Sequence, residues 1–96
     1  MAESAARKTL LAIDDDPGIL ELLSVLLRPV PITFLSTCDP YEGLRMASEH
    51  QPALILLDNH MPGLLGVEVL QRLRQLPATA HIPVIMMTAD NRLDTL

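Results

Sequence analysis

The chain has 96 residues, enough for one domain with a small core. Its formal net charge of −5 has the same sign as the charge of nucleic acids and anionic membranes, so we expect no direct contact with either. A single Cys excludes an intrachain disulfide. No apolar run reaches the roughly 18–20 residues of a membrane span. The polar start of the chain does not resemble a secretion signal, and a cytoplasmic location is expected.

The first predicted strand covers residues 9–13, a short apolar run directly before Asp14, Asp15 and Asp16. Asp16 is a good N-cap residue and Pro17 a good first helical residue, so a helix is predicted to begin there. The apolar residues of this helix recur at helical spacing and predict one buried face: Ile19, Leu22, Leu23, Leu26 and Leu27. A Pro-x-Pro sequence soon afterwards ends the helix.

The second predicted strand covers residues 32–36. Asp39 and Glu42 have the spacing of a capping box, in which each side chain accepts a backbone N–H of the other residue. This pair predicts a second helix that runs to about His50, two residues before a helix-breaking Pro.

Residues 53–57 are apolar at consecutive positions, which is typical of a parallel strand covered on both faces, and Asp58 follows them. A loop rich in Pro and Gly leads into a third helix, predicted over about residues 65–76. Its inward residues are expected to be Val67, Leu70 and Leu73. The fourth predicted strand covers residues 84–87 and ends at Thr88.

The alternation of strands and helices, without a hairpin signal, predicts an α/β fold with a parallel sheet and helices on both faces. In the flavodoxin-like, doubly wound order 2-1-3-4, strands 1 and 3 are neighbours where the strand order reverses. Ligands bind at the carboxyl ends of strands at that point. Asp14, Asp15 and Asp58 would then meet at one edge of the sheet, with Thr88 on the next strand.

Carboxylates this close together repel one another unless a cation lies between them. Mg²⁺ is the cation expected, because it binds one or two carboxylates and keeps coordination positions for water or a phosphoryl oxygen. A carboxylate in such a site can attack phosphorus and form an acyl phosphate. Asp16 has a simpler explanation as a helix cap.

Three sequence blocks carry a family resemblance: IDDDP at residues 13–17, LLDNHMPGLLG at residues 56–66 and MTA at residues 87–89. Together they resemble the signature blocks of response-regulator receiver domains, the phosphoacceptor modules of two-component signalling. The resemblance implies that Asp58 accepts a phosphoryl group from a histidine kinase or phosphotransfer protein, and that Thr88 is the hydroxyl residue that turns toward this group.

The same resemblance implies a Mg²⁺ site made by Asp14, Asp15 and Asp58, together with the backbone carbonyl of His60. It also implies that the side chains of His60 and Asp90 tune dephosphorylation. Such a module is a signalling phosphoacceptor and not a classical enzyme, with at most self-catalysed phosphotransfer and dephosphorylation.

The chain departs from the family pattern at its end. Receiver domains have five βα units, whereas this sequence stops just after Asp90, where a fourth helix is expected to begin. Residues 1–96 are therefore expected to form a single, incomplete receiver domain that lacks the fifth unit. The phosphate-binding Lys of the family has no match, since Lys8 is the only Lys and precedes the first strand. We expect an impaired phosphorylation switch, and homo-oligomers formed through the exposed fourth strand.

Two other functions remain open from the residues alone. Asp14 and Asp16 have the spacing of the nucleophile and the acid/base residue of haloacid-dehalogenase-type phosphatases, although that function leaves Asp58 and its loop unexplained. The second of these functions is that of a protein-binding module that does not depend on phosphorylation.

Overall fold

The computed structural model of the chain describes residues 7–87. Strands and helices alternate, as predicted. The strands are β1 (Lys8–Ile13), β2 (Ile32–Thr37), β3 (Leu54–Asp58) and β4 (Val84–Met87), and the helices are α1 (Pro17–Leu26), α2 (Pro40–His50) and α3 (Gly66–Gln75). The fourth helix predicted at Asp90 lies outside the described residues. None of the helices within residues 7–87 is long and apolar enough to cross a membrane.

All the strand pairs of the sheet are parallel, and the strand order is β2-β1-β3-β4, which confirms the predicted doubly wound order. The chain moves from β1 to β2 in one direction and then from β2 past β1 to β3 and β4 in the other. Because parallel crossovers are right-handed, this reversal puts α1 on one face of the sheet and both α2 and α3 on the opposite face.

The hydrophobic core lies between the sheet and the pair α2 and α3. Alternate residues of β1 and β3 point toward this side, and the fully buried ones are Leu11, Ile13, Ile55 and Leu57. They pack against buried residues of the two helices: Ala47, Val69 and Leu73. Each large aliphatic side chain buried in this way contributes about 1.5–3 kcal/mol to folding. The core is aliphatic because the chain contains one Phe, one Tyr and no Trp.

Helix α1 begins at the predicted cap, where the Asp16 Oδ1 atom accepts a hydrogen bond from the Gly18 N–H at 2.9 Å. Its predicted buried face is partly wrong. The buried residue is Leu20, whereas three residues assigned to that face are exposed, namely Ile19 at 38%, Leu22 at 52% and Leu26 at 61%. Apolar residues occupy most of the surface of this helix, so periodicity alone does not identify the side that faces the sheet.

Helix α2 begins at the predicted cap, Asp39, whose Oδ1 atom accepts from the Tyr41 N–H at 3.0 Å. The predicted reciprocal bond of a capping box is absent here. Instead, the Asp39 N–H donates to the Thr37 hydroxyl at 3.1 Å, and this hydroxyl donates to the Glu42 carboxylate at 2.8 Å. The buried Thr37, at the end of β2, therefore bridges Asp39 and Glu42 in place of the direct bond of a capping box.

Helix α3 begins where the chain after β3 turns back tightly. A Cβ atom on Gly66 would collide with the backbone oxygen of Asp58 and lie 2.8 Å from the Asn59 Cα atom, so only Gly allows this approach. The next residue, Val67, was predicted to face inward but is 47% exposed, and Val69 is buried in its place. The other two residues predicted to face inward are confirmed, since Leu73 is fully buried and Leu70 packs against the core.

Candidate acidic site at the ends of β1 and β3

Three carboxylates meet where β1 and β3 end. Asp14 follows β1, Asp15 follows Asp14, and Asp58 is the last residue of β3. One oxygen from each of these side chains lies within 4.8 Å of the others. The pairing of β1 with β3 brings them together, because the two strands are parallel neighbours that end at the same edge of the sheet. The predicted convergence of Asp14, Asp15 and Asp58 is therefore observed.

Backbone hydrogen bonds hold two of the carboxylates in place. The Asp14 N–H donates to the Thr37 carbonyl at 3.2 Å, which ties the end of β1 to the end of β2. The Asp14 Oδ1 atom accepts from the Asp16 N–H at 2.9 Å. On β3, the Asp58 Oδ1 atom accepts from the His60 N–H at 3.3 Å. These bonds orient the side chains toward one another.

Burial makes the negative charges costly. Asp14 is 6% exposed and Asp58 is 8% exposed, whereas Asp15 is exposed. Burial raises the pKa of the Asp14 carboxyl above its ordinary value, and the charges of Asp58, Asp15 and Asp16 raise it further. The hydrogen bond from the Asp16 N–H opposes this rise in pKa without cancelling it. A divalent cation with oxygen ligands would relieve the repulsion, and three nearby carboxylate oxygens suit such an ion.

The carboxylates line a cavity of about 410 Å³. The rest of its lining is Asp16, Ile19, His60 and Met87. Asp16 serves as the α1 cap, as predicted, and His60 stands exposed at the rim. Ile19 and Met87 were not predicted to be part of this site. Each of these residues lies within three positions of a motif residue, Asp16 or Thr88, and this proximity could have identified them from the sequence.

Within residues 7–87, neither Lys nor Arg lines this cavity. Lys8 begins β1, at the opposite end from Asp14, and a six-residue strand separates the two ends by about 20 Å. Thr88 and Asp90 lie outside the described residues. Met87, which directly precedes Thr88, is at the cavity, and its carbonyl accepts a hydrogen bond from the Asn59 N–H at 3.1 Å.

The family model of the response regulator receiver domain matches residues 10–96 of the chain. The chain belongs to this family. A receiver domain is a phosphoacceptor signalling module, and the match does not favour the phosphatase or the phosphorylation-independent module. The region matched contains all three sequence blocks that carried the resemblance.

Individual relatives agree with the family match. The "DNA-binding dual master transcriptional regulator RpaA" of Synechocystis is 42% identical over 80 residues, which are 83% of this chain and 33% of that protein. Because the receiver domain spans only a third of this relative, the relative's DNA binding is not transferred to it. The absence of nucleic-acid contact stays a prediction for this chain.

Solved structures have the same fold. The N-terminal domain of a response regulator receiver protein from Methanoculleus marisnigri is 34% identical, with a TM-score of 0.82, and the match covers 86% of this chain and 68% of that one. The receiver domain of the sensor histidine kinase PA1611 from Pseudomonas aeruginosa is 25% identical, with a TM-score of 0.82 over 92% of this chain and 71% of that one. That structure has a magnesium ion coordinated in the active-site cleft.

The raised pKa of Asp14 predicts that the metal-free domain becomes more stable when this charge is removed. Asp14→Asn keeps an oxygen that can accept the Asp16 N–H but removes the buried charge. We expect its thermal midpoint at pH 7, in EDTA, to rise by roughly 4 °C. The gain should shrink as the pH falls toward 3.8, because the raised pKa lets Asp14 protonate in the folded state before it does so in the unfolded state.

The control is Glu21→Gln, which removes an exposed carboxylate on α1 and should leave the midpoint nearly unchanged. Thermal unfolding followed by circular dichroism at several pH values measures both variants. A metal-free Asp14→Asn protein that is less stable than the parent at pH 7 would contradict the electrostatic account of this site.

Proposed function

We propose that Asp58 is the residue of this receiver domain that accepts the phosphoryl group, within a Mg²⁺ site made by Asp14, Asp15 and Asp58. The observation that supports this proposal is the meeting of these three carboxylate oxygens within 4.8 Å at the ends of two neighbouring strands. Asp58 is chosen as the acceptor because it matches the acceptor position of the family block. It is also held in β3, next to the hydrogen-bonded strand β4.

The proposed reaction is a displacement at phosphorus. A carboxylate oxygen of Asp58 forms a bond to the phosphorus of a phosphohistidine donor while the P–N bond of the donor breaks. The electron pair of that bond goes to the imidazole nitrogen, which takes up a proton. The product is an aspartyl phosphate, and attack of water on its phosphorus returns the Asp58 carboxylate and inorganic phosphate. Both transfers would use the domain's own residues together with Mg²⁺.

The side chains of the site fit Mg²⁺, because they offer hard oxygen ligands of opposite charge. Asp14, Asp15 and Asp58 would hold the ion with their carboxylates, and His60 with its backbone carbonyl. When bound, Mg²⁺ supplies positive charge that offsets the repulsion among the carboxylates and stabilises the charge on the phosphoryl oxygens. The magnesium in the cleft of the related PA1611 receiver supports this assignment.

The remaining roles follow from position in the family blocks. Thr88 would donate its hydroxyl to the phosphoryl group, since it follows Met87, which lines the cavity. A histidine kinase or phosphotransfer protein would be the phosphoryl donor. We further propose that the domain acts in the cytoplasm, where such donors present their phosphohistidine.

We predict that acetyl phosphate with Mg²⁺ phosphorylates the chain at Asp58. Asp58→Asn should abolish the modification, because an amide oxygen is a poor nucleophile and cannot form the acyl phosphate. Mass spectrometry after reductive trapping of the acyl phosphate locates the site, and EDTA should suppress the reaction.

Asp16→Asn is the matched control, since Asn caps a helix as well as Asp does and α1 keeps its start. This variant should retain the modification at Asp58. Modification at Asp14, together with its loss in Asp16→Asn, would support the phosphatase instead. If a chain extended through a fifth strand and helix also showed no phosphorylated Asp, a phosphorylation-independent binding module would be favoured.

We also predict that His60 and Asp90 set the lifetime of the aspartyl phosphate. His60 lines the cavity. From there its imidazole would affect the approach of water to phosphorus. Exchanging the two residues, as His60→Asp with Asp90→His, should change the dephosphorylation rate by about tenfold. The rate is measured by loss of the aspartyl phosphate after removal of the donor, and an unchanged rate would refute the assignment.

A further inference from the structure

The last residue of β2 is buried, whereas the rest of that strand is half-buried or exposed. This residue, Thr37, is polar and only 8% exposed. A buried hydroxyl lowers stability unless it is hydrogen-bonded, and the Thr37 hydroxyl makes two hydrogen bonds, one as acceptor and one as donor. Its partners therefore hold this side chain in one orientation.

Both partners of the Thr37 hydroxyl belong to the start of α2. The N–H of the N-cap residue Asp39 donates to it at 3.1 Å, and it donates to the Glu42 Oε1 atom at 2.8 Å. The other oxygen of the Glu42 carboxylate accepts from the Arg45 guanidinium at 3.3 Å, which limits the rotation of this carboxylate. The end of β2 is thus attached to the first turn of α2 through the Thr37 side chain.

The backbone of Thr37 holds the start of the acidic site. Thr37 pairs in register with Ile13, the last residue of β1, and its carbonyl accepts the Asp14 N–H at 3.2 Å. Asp14 is the first residue after β1, where the chain leaves the sheet for the start of α1. The position of the Asp14 carboxylate therefore depends on where the end of β2 lies.

We propose that Thr37 is a positioning residue of the metal site: α2 holds its hydroxyl, and its carbonyl in turn holds the backbone of Asp14. This inference rests on the proposed function, in which Asp14 is a Mg²⁺ ligand. Loss of a group that orients a metal ligand typically weakens metal binding by about 10- to 100-fold. Because Thr37 acts on Asp14 through the backbone, we expect an effect at the lower end of this range.

The probe for the test is Mn²⁺, which takes the oxygen ligands of Mg²⁺ and is measured in its free form by electron paramagnetic resonance. Thr37→Val removes the hydroxyl but keeps a β-branched side chain that suits a strand. We expect the Mn²⁺ dissociation constant to rise about tenfold. In the metal-free protein, hydrogen exchange of the Asp14 amide should become about tenfold faster, because its acceptor is less fixed. Thr37→Ser keeps the hydroxyl and should behave like the parent in both measurements.

Thr79→Val is the matched control. Thr79 is also a buried Thr, and its hydroxyl donates to the Leu73 carbonyl at 2.7 Å. It precedes β4 and therefore lies toward the opposite end of the sheet from the acidic site. Its loss should lower the thermal midpoint, as the loss of the Thr37 hydroxyl does, but should not weaken Mn²⁺ binding. This variant separates a loss of stability from a loss of positioning.

Glu42→Ala gives a second test that leaves the strand unchanged. It removes the acceptor of the Thr37 hydroxyl from an exposed helix position, where Ala is well tolerated. In about 0.5 M KCl, which screens exposed charges, it should weaken Mn²⁺ binding by about threefold. Glu49→Ala, which removes an exposed carboxylate farther along α2, should not.

Mn²⁺ binding by Thr37→Val as tight as that of the parent would overturn the positioning role, and so would equal weakening in Thr37→Val and Thr79→Val. A parent chain that binds no Mn²⁺ would overturn the proposed metal site and, with it, this role of Thr37. The two failures are distinct, because the first leaves Mn²⁺ bound to the parent.

Discussion

The repulsion among three carboxylates at the ends of β1 and β3 is the constraint on which the rest of the site depends. Asp14 and Asp58 are both buried, so water does little to screen their charges. A fold selected only for stability would avoid such a cluster. On the function proposed above, its cost is tolerated because the same charges would attract a divalent cation, and that cation would permit a carboxylate to react with a phosphoryl group that carries negative charge.

The backbone keeps these charges close despite their repulsion. The strand order puts β1 beside β3, and the Thr37 carbonyl fixes the Asp14 backbone. Behind Asp58, the chain turns so tightly that Gly66 lies against its carbonyl oxygen. The same strand order distributes the helices. Because the chain reverses direction after β2, α1 lies on one face of the sheet, and α2 and α3 lie on the other.

The sequence predicted the site more accurately than it predicted the packing of the side chains. Strands β1 and β3 contain short apolar runs, and the residue that follows or ends each of them is an Asp, so the strand pattern and the site were visible together. Both Asp caps were also correct, because capping is a local interaction. The wrong expectations concerned contacts over longer distances. Periodicity did not show that Ile19 and Leu22 are exposed among the described residues, and Glu42 bonds to Thr37, a residue of the preceding strand.

We propose that the carboxylates of Asp14, Asp15 and Asp58 together hold one divalent ion. Anomalous diffraction from a crystal soaked in Mn²⁺ is the decisive measurement, because Mn²⁺ takes the oxygen ligands of Mg²⁺ and scatters anomalously. We expect one strong peak within coordination distance of all three carboxylates, and its absence from a crystal of the Asp58→Asn variant. A fully soaked crystal without a peak between these residues, or with its main peak elsewhere on the surface, would rule out a shared metal site.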